Sequence, residues 1–288
     1  MASVFGVGIA TVDIINSVEG YPDEDAEVRA STQHVSRGGN VCNTLTVLSQ
    51  FKHKCYWSGI TCTDSDTHFI LDDLQKNQID YSYAQHLNSG KVPTSYITLN
   101  RLSGSRTIVH YRNLPELSYQ FFRTLKIPKC DWFHFEAREI NETRRMIEHV
   151  QHIYPEATIS VEIEKERKGL EGIFGLADLY FFSKAFALHS GFDNPLEFLA
   201  HQKINSPHAD LTCTWGEKGA TALLADGSII ESTAFPPTQI VDTLGAGDTF
   251  NAGIIHARLS DLDWQQALSF ACQLAGKKCG QMGFQNLT

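Results

Sequence analysis

From residue 132 onward, short apolar runs alternate with stretches of helical spacing, and few architectures accept that order. Residues 132–135, 158–163, 179–182, 211–215 and 221–224 read as strands, the last followed by an Asp226-Gly227 turn. Residues 141–153, 196–202, 250–259 and 264–277 read as helices. The strand runs are rich in apolar residues and sit between helices, so both faces of the sheet need cover. The expectation is an α/β fold, a three-layer sandwich with a central, mostly parallel sheet between helices. Earlier in the chain, residues 4–9 and 55–60 read as strands and 43–51 and 69–76 as helices, with Gly38-Gly39-Asn40 preceding the first turn of the former. Residues 11–35 and 91–111 are less apolar and more alternating, which predicts a small sheet with one wet face. Within it, 94–99 and 106–111 form a hairpin through Ser103-Gly104-Ser105. With no repeat and no Pro- or Ser-rich linker, residues 1–288 read as a single domain carrying that small sheet.

The stretch Val241-Asp242-Thr243-Leu244-Gly245-Ala246-Gly247-Asp248-Thr249-Phe250 carries the most chemistry. It joins a β-rich run, Gln239-Ile240-Val241, to a helix through small residues, so a ligand can approach the backbone N–H groups closely. A helix starting there would aim those N–H groups and its positive dipole end at an anion. Asp248 would then be a base inside an anion site, which suits phosphoryl transfer to a hydroxyl. Taken alone, the pattern better suits an ordinary Asp N-cap after a glycine turn. Asp13, Asn40 and Asn43 supply one carboxylate and two amides, the donors and acceptors a polyol needs. Taken alone, they better suit a turn aspartate and two N-capping asparagines.

Three motifs occur in order: Arg37-Gly38-Gly39-Asn40-Val41-Cys42-Asn43, Thr214-Trp215-Gly216-Glu217-Lys218-Gly219, and Asp242-Thr243-Leu244-Gly245-Ala246-Gly247-Asp248. Together they resemble the signatures of the ribokinase-like PfkB carbohydrate kinases along nearly the whole chain. Ala234-Phe235-Pro236-Pro237, residues 241–251, Cys272-Gln273-Leu274-Ala275-Gly276-Lys277-Lys278-Cys279-Gly280, Gly283-Phe284 and Val161-Glu162-Ile163-Glu164-Lys165 are most similar to the subgroup that phosphorylates ketohexoses.

The resemblance implies ATP-dependent phosphorylation of a sugar, with C1 of D-fructose as the expected acceptor. Its alternatives are a kinase for another sugar, sugar acid or nucleoside, or a non-catalytic sugar-binding regulatory protein. It implies Asp248 as catalytic base, with the amides of Gly245, Ala246 and Gly247 stabilising the transferred phosphoryl group. Asp13, Gly39, Asn40 and Asn43 would bind sugar, and the small sheet would be a lid over it. Arg106 is carried over as a lid residue touching substrate or phosphate, although Ser105-Arg106 stands where the subgroup has Asn-Arg. Glu136, at a strand end, would support the sugar site or the lid. Lys184, after another strand, would meet a nucleotide phosphate, where ligands of doubly wound sheets bind. Thr214, Gly216, Glu217 and Gly219 would form the nucleotide loop, and Cys272 would lie near adenine; a core-facing pair with Ala275 is the alternative. Glu164 would hold hydrated Mg²⁺ through water. The resemblance also implies a monovalent cation, K⁺, bound largely by backbone carbonyls, and a homodimer formed through the lid strands.

Bulk properties exclude other classes. The net charge of −9 argues against a nucleic-acid surface, and no apolar run approaches the length of a membrane span. The seven cysteines are odd in number and scattered without a C-x-x-C pair, so reduced thiols in a cytoplasmic protein are expected. No G-x-x-x-x-G-K-[ST] occurs, and Gly6-Val7-Gly8 lacks the third glycine of a dinucleotide site.

Overall fold

A computed structural model describes residues 1–288. In chain order the strands and helices of the first half are β1 (Ser3–Val7), β2 (Thr11–Val18), β3 (Thr32–Gly38), α1 (Asn40–Gln50), β4 (Lys54–Ser58), β5 (Ile60–Cys62), α2 (Ser65–Lys76), β6 (Ile79–Asp80), β7 (Gln85–Leu87), β8 (Thr94–Asn100), β9 (Arg106–Tyr111) and α3 (Tyr119–Phe122). The second half adds β10 (Trp132–Glu136), α4 (Ile140–Ile153), β11 (Thr158–Ile163), β12 (Leu179–Phe182), α5 (Lys184–His189), α6 (Pro195–Lys203), β13 (Asp210–Thr214), β14 (Ala220–Leu223), β15 (Ile229–Ser232), α7 (Ala246–Leu259) and α8 (Trp264–Cys279).

Nine strands form the central sheet in the order β15-β14-β13-β12-β11-β10-β1-β4-β6. All pairings from β6 to β13 are parallel, and β14 and β15 close one edge antiparallel. The apolar runs are buried as expected: Phe133, Phe135, Val161, Ile163 and Tyr180 are fully covered. One contiguous core joins the sheet to the helices on its two faces.

The lid is a separate sheet, β3-β2-β8-β9, with β2 and β8 parallel and both outer pairs antiparallel. Its register divides its chemistry by face. Asp13, Ser36, Ser95 and His110 form one cross-strand row. One residue along, and therefore on the other face, Val35, Ile14, Tyr96 and Val109 form an apolar row. β9 is exposed along its whole length.

Two local expectations change. Gln239-Ile240-Val241 is not a strand: Ile240 is 65% exposed, and the N–H groups of Val241 and Asp242 donate to Cys279 O at 2.8 and 3.3 Å. Pro236 and Pro237, which lack N–H donors, precede the run. Helix α1 begins at Asn40, so Asn40 is its first residue rather than a residue before it.

Candidate active site

The parallel strands end on one side of the sheet, and their C-terminal residues meet the lid and the start of α7 there. The cleft between them has a volume of about 220 Å³. Among its lining residues are Asp13, Gly39, Asn40, Asn43, Arg106, Glu164, Thr214, Gly245, Ala246, Gly247 and Asp248, all expected from sequence. Contributions therefore converge from β2, α1, β9, β13, the segment after β11 and the N-terminus of α7.

Helix α7 is entered through Gly245, whose φ of 78° and ψ of 11° are left-handed. A side chain there would also meet the Phe284 ring at 2.3 Å, so only glycine fits without displacement. The N–H of Ala246 turns back to Thr243 O at 3.3 Å, whereas Gly247 and Asp248 N–H have no backbone acceptor. Gly245 N–H likewise has no acceptor, so of the three amides expected from sequence only that of Ala246 is turned inward.

Asp248 is buried in that first turn. Its Oδ2 accepts a 2.7 Å hydrogen bond from Asn43 Nδ2, and Thr44 Oγ1 donates to its backbone carbonyl. Burial pushes its carboxyl up to about 7; the Asn43 bond opposes this, while the Glu164 and Glu136 charges reinforce it. A carboxylate in that range is a better proton acceptor than an ordinary aspartate.

Asn43 is held at both ends. Its Oδ1 accepts from Arg37, whose buried guanidinium also reaches Thr46 Oγ1 at 2.6 Å and Asp73 Oδ1 at 2.7 Å. Arg37 thus orients Asn43, and Asn43 orients Asp248. The amide expected to contact sugar gives one of its two N–H groups to Asp248 and still lines the cleft. Arg37 stood within a quoted motif, but its contact with Asp73 on α2 is a tertiary fact with no local sequence signal.

Asp13, 8% exposed, receives Thr11 Oγ1 at 2.9 Å, and burial holds its carboxyl above the usual aspartate range against that bond. Asn40 Nδ2 donates to Glu162 Oε1 at 3.0 Å and Glu164 Oε2 at 3.4 Å. Glu162 was missed as a site residue. Its signal was the lone carboxylate inside the otherwise uncharged strand Thr158–Ile163. Its Oε2 is buried with no partner, and burial together with the Asp248 charge raises its carboxyl well above the usual range. Arg106 reaches across the cleft to Thr243 Oγ1 at 3.2 Å, joining the lid to the loop before α7.

The remaining expected residues lie apart from the cleft lining. Glu136 accepts from Ile9 N at 3.2 Å and Arg138 at 2.9 Å, which supports the crossing from β1 into the lid. Lys184 follows the Ser183 N-cap, with Nζ 5.7 Å from the Trp215 ring centroid. Gly216 and Glu217 form a single 3-10 turn after β13, and Gly219 packs against Ser232 O. Cys272 is buried in α8.

No three His, Cys, Asp or Glu side chains converge to cage a metal. Glu162, Glu164 and Asp248 nevertheless offer only oxygen, and Glu162 Oε2 lacks a partner. That donor set fits Mg²⁺ arriving with its waters and phosphates.

A cleft with a buried aspartate at a helix N-terminus, under a four-stranded lid, defines a sugar-kinase architecture. The pfkB family carbohydrate kinase profile matches residues 1–288, and the chain belongs to that family as an ATP-dependent carbohydrate kinase. It is 38% identical over 290 residues to ketohexokinase of Mus musculus, covering 98% of this chain and 97% of that one. Its fold matches ribokinase from Giardia lamblia with a TM-score of 0.84 at 15% identity, covering 99% and 96% of the two chains. Ribokinase from Thermotoga maritima matches with a TM-score of 0.78 at 17% identity, covering 100% and 96%.

Proposed function

We propose that this carbohydrate kinase transfers the γ-phosphoryl group of ATP to the C1 hydroxyl of D-fructose. The observation that carries the reading is the relay Arg37–Asn43–Asp248 at the mouth of α7. It holds Asp248 Oδ2 and leaves Oδ1 without a protein partner. The choice of fructose rests on the 38% identity to a ketohexokinase across nearly the whole chain.

Asp13 and Asn40 hold the sugar, and the lid excludes water around it. The C1 oxygen attacks the γ-phosphorus, and its proton passes to Asp248 Oδ1. The bond from the γ-phosphorus to the bridging oxygen breaks, and ADP leaves with that oxygen. The N–H groups at the start of α7 stabilise charge on the phosphoryl oxygens. Glu162 and Glu164 would hold Mg²⁺ through its waters, and the ion would supply charge neutralisation on the phosphates. Lys184, Thr214, Gly216, Glu217 and Gly219 form the nucleotide end. Cys272, buried in α8, would back the adenine end.

ADP release from MgATP tests the reading against ketoses, aldoses, sugar acids and nucleosides. Turnover with D-fructose supports it, and turnover only with another acceptor replaces the substrate while keeping the mechanism. Absence of turnover with retained ATP binding favours a sugar-binding regulator. Asp13→Ala is expected to weaken fructose affinity roughly tenfold or more, as loss of a charged hydrogen-bond partner does. Unchanged affinity by calorimetry removes Asp13 from the sugar site.

The chain acts as one kinase unit over residues 1–288, and two copies pair through the lid. Tyr96, Val109 and Tyr111, 46%, 66% and 49% exposed, are the apolar side chains that pairing would cover. Sedimentation at micromolar concentration is expected to give twice the chain mass; one chain mass contradicts it. The cytoplasm is the proposed compartment. All seven cysteines are free, and burial pushes the Cys42 and Cys213 thiols up to about 12, which keeps them unreactive. No helix is long and apolar enough to cross a membrane.

A further inference from the structure

A buried lysine fastens the loop that leads into α7. Lys278, in the last turn of α8, is 0% exposed. Its Nζ donates to Asp242 O at 3.0 Å and to Asp242 Oδ2 at 2.8 Å. It also lies 5.4 Å from the Phe284 ring centroid. An ammonium has three donors, and burying one is costly unless each finds a partner. Here two reach Asp242, and the aromatic face accommodates the remaining side of the charge.

Asp242 is itself the knot of this loop. Its Oδ1 accepts from Leu244 N at 2.9 Å, and its Oδ2 from Gly283 N at 3.3 Å. Phe284, beneath Lys278, occupies the space beside Gly245. One ammonium therefore ties α8, the 280–284 turn and residues 242–245 together, immediately before the amides that face the phosphoryl group.

The resemblance implies a monovalent cation beside such a loop, held largely by backbone carbonyls. At Asp242 that group does not fit, because both the carbonyl and the carboxylate already receive Lys278 Nζ. We propose that Lys278 is a positioning residue for phosphoryl transfer, its ammonium serving as the fixed cation of this loop in place of a monovalent ion. The inference rests on the kinase reading and deepens it. Without the ammonium, the Asp242 charge would stand uncompensated near the incoming phosphates and the loop would lose its tether. The loss should fall on kcat and on ATP, with the sugar site spared.

The test compares wild type with Lys278→Met, Lys278→Ala and the charge-free pair Lys278→Met/Asp242→Asn. Removing both charges of a buried pair is often neutral for folding, so the double variant keeps the test alive if Lys278→Met misfolds. Every variant is expected to lose roughly 10²-fold in kcat, the size of a misaligned oxyanion donor, with fructose KM within about threefold. Methylammonium is expected to restore at least tenfold to Lys278→Ala and nothing to the double variant, since rescue needs both a cavity and a carboxylate (about 1.4 kcal/mol per tenfold). Wild type should turn over equally in Na⁺ and K⁺, and its melting temperature should not distinguish them. A folded double variant with kcat within threefold of wild type overturns the proposal. So does strong stimulation, or selective thermal stabilisation, of wild type by K⁺. Absence of wild-type turnover in either salt would fail the kinase reading instead; the melting comparison still reports on the cation.

Discussion

Asp248→Asn lowers kcat by roughly 10²–10⁴-fold and leaves ATP affinity within a few-fold of wild type. The amide keeps the shape of the carboxylate and its oxygen can still accept from Asn43 Nδ2, but it cannot take a proton from the sugar hydroxyl. The backbone carbonyl that accepts Thr44 Oγ1 is untouched, so the start of α7 should stay in place. The wild-type pH profile carries the same signature. Burial raises the Asp248 carboxyl to about 7, so the active, deprotonated form is scarce in acid. kcat/KM should climb with pH through that region and level off above it, and Asp248→Asn should abolish the climb.

Stability should move the opposite way. A carboxyl whose folded pKa lies above its unfolded value of about 3.9 makes the folded chain bind the extra proton. Its contribution is most favourable below about 4 and is lost as pH rises toward 7. Asp248→Asn is therefore expected to melt at or above wild type at pH 8, by differential scanning calorimetry. A flat wild-type pH profile, or a variant that turns over normally, removes Asp248 as the base.

Gly39→Ala is the second large effect, and it acts through the backbone. Gly39 holds φ at 105° as the N-cap of α1, and a Cβ built there stands 2.1 Å from Ile9 O. The obstacle is main chain, so no side chain can swing aside. A disfavoured backbone conformation costs on the order of 1–3 kcal/mol, and the collision adds to it. A loss of about 3 kcal/mol and a fall in Tm on the order of 5–10 °C are expected. The consequence for function follows from position. Asn43 N–H donates to Gly39 O at 2.9 Å, and Asn40 is the next residue, so a shifted entry to α1 displaces Asn40, Asn43 and through it Asp248. Sugar affinity and kcat should fall together. Gly20→Ala, with nothing within 4 Å of the added carbon, is the control that should change neither. Wild-type melting and kinetics in Gly39→Ala would show that α1 can start without this conformation.

The central sheet was legible because its strands are rich in apolar and β-branched residues and alternate with helices that keep their period. Residues 158–163 match β11 residue for residue. The lid hairpin was legible from Ser103-Gly104-Ser105, but β3 was not located, because Thr32-Gln33-His34-Val35-Ser36-Arg37 is polar and exposed over most of its length. Gln239-Ile240-Val241 misled because β-branched composition signals packing against neighbours, and this segment has none of its own in a sheet. In the site, Asp248 and the glycines around it stood out because anion binding needs small residues at fixed spacing. Glu162, Arg37 and Lys278 did not. Their importance lies in partners 122, 36 and 36 residues away, and long-range pairing leaves no local pattern.

The most direct measurement follows the phosphorus. Purified protein is incubated with MgATP and D-fructose, and the products are resolved by ³¹P and ¹³C NMR, with Asp248→Asn run alongside. The account predicts ADP and fructose 1-phosphate in equal amounts from wild type, and neither above background from the variant. A phosphate on another carbon, or the same product at the same rate from Asp248→Asn, would contradict it.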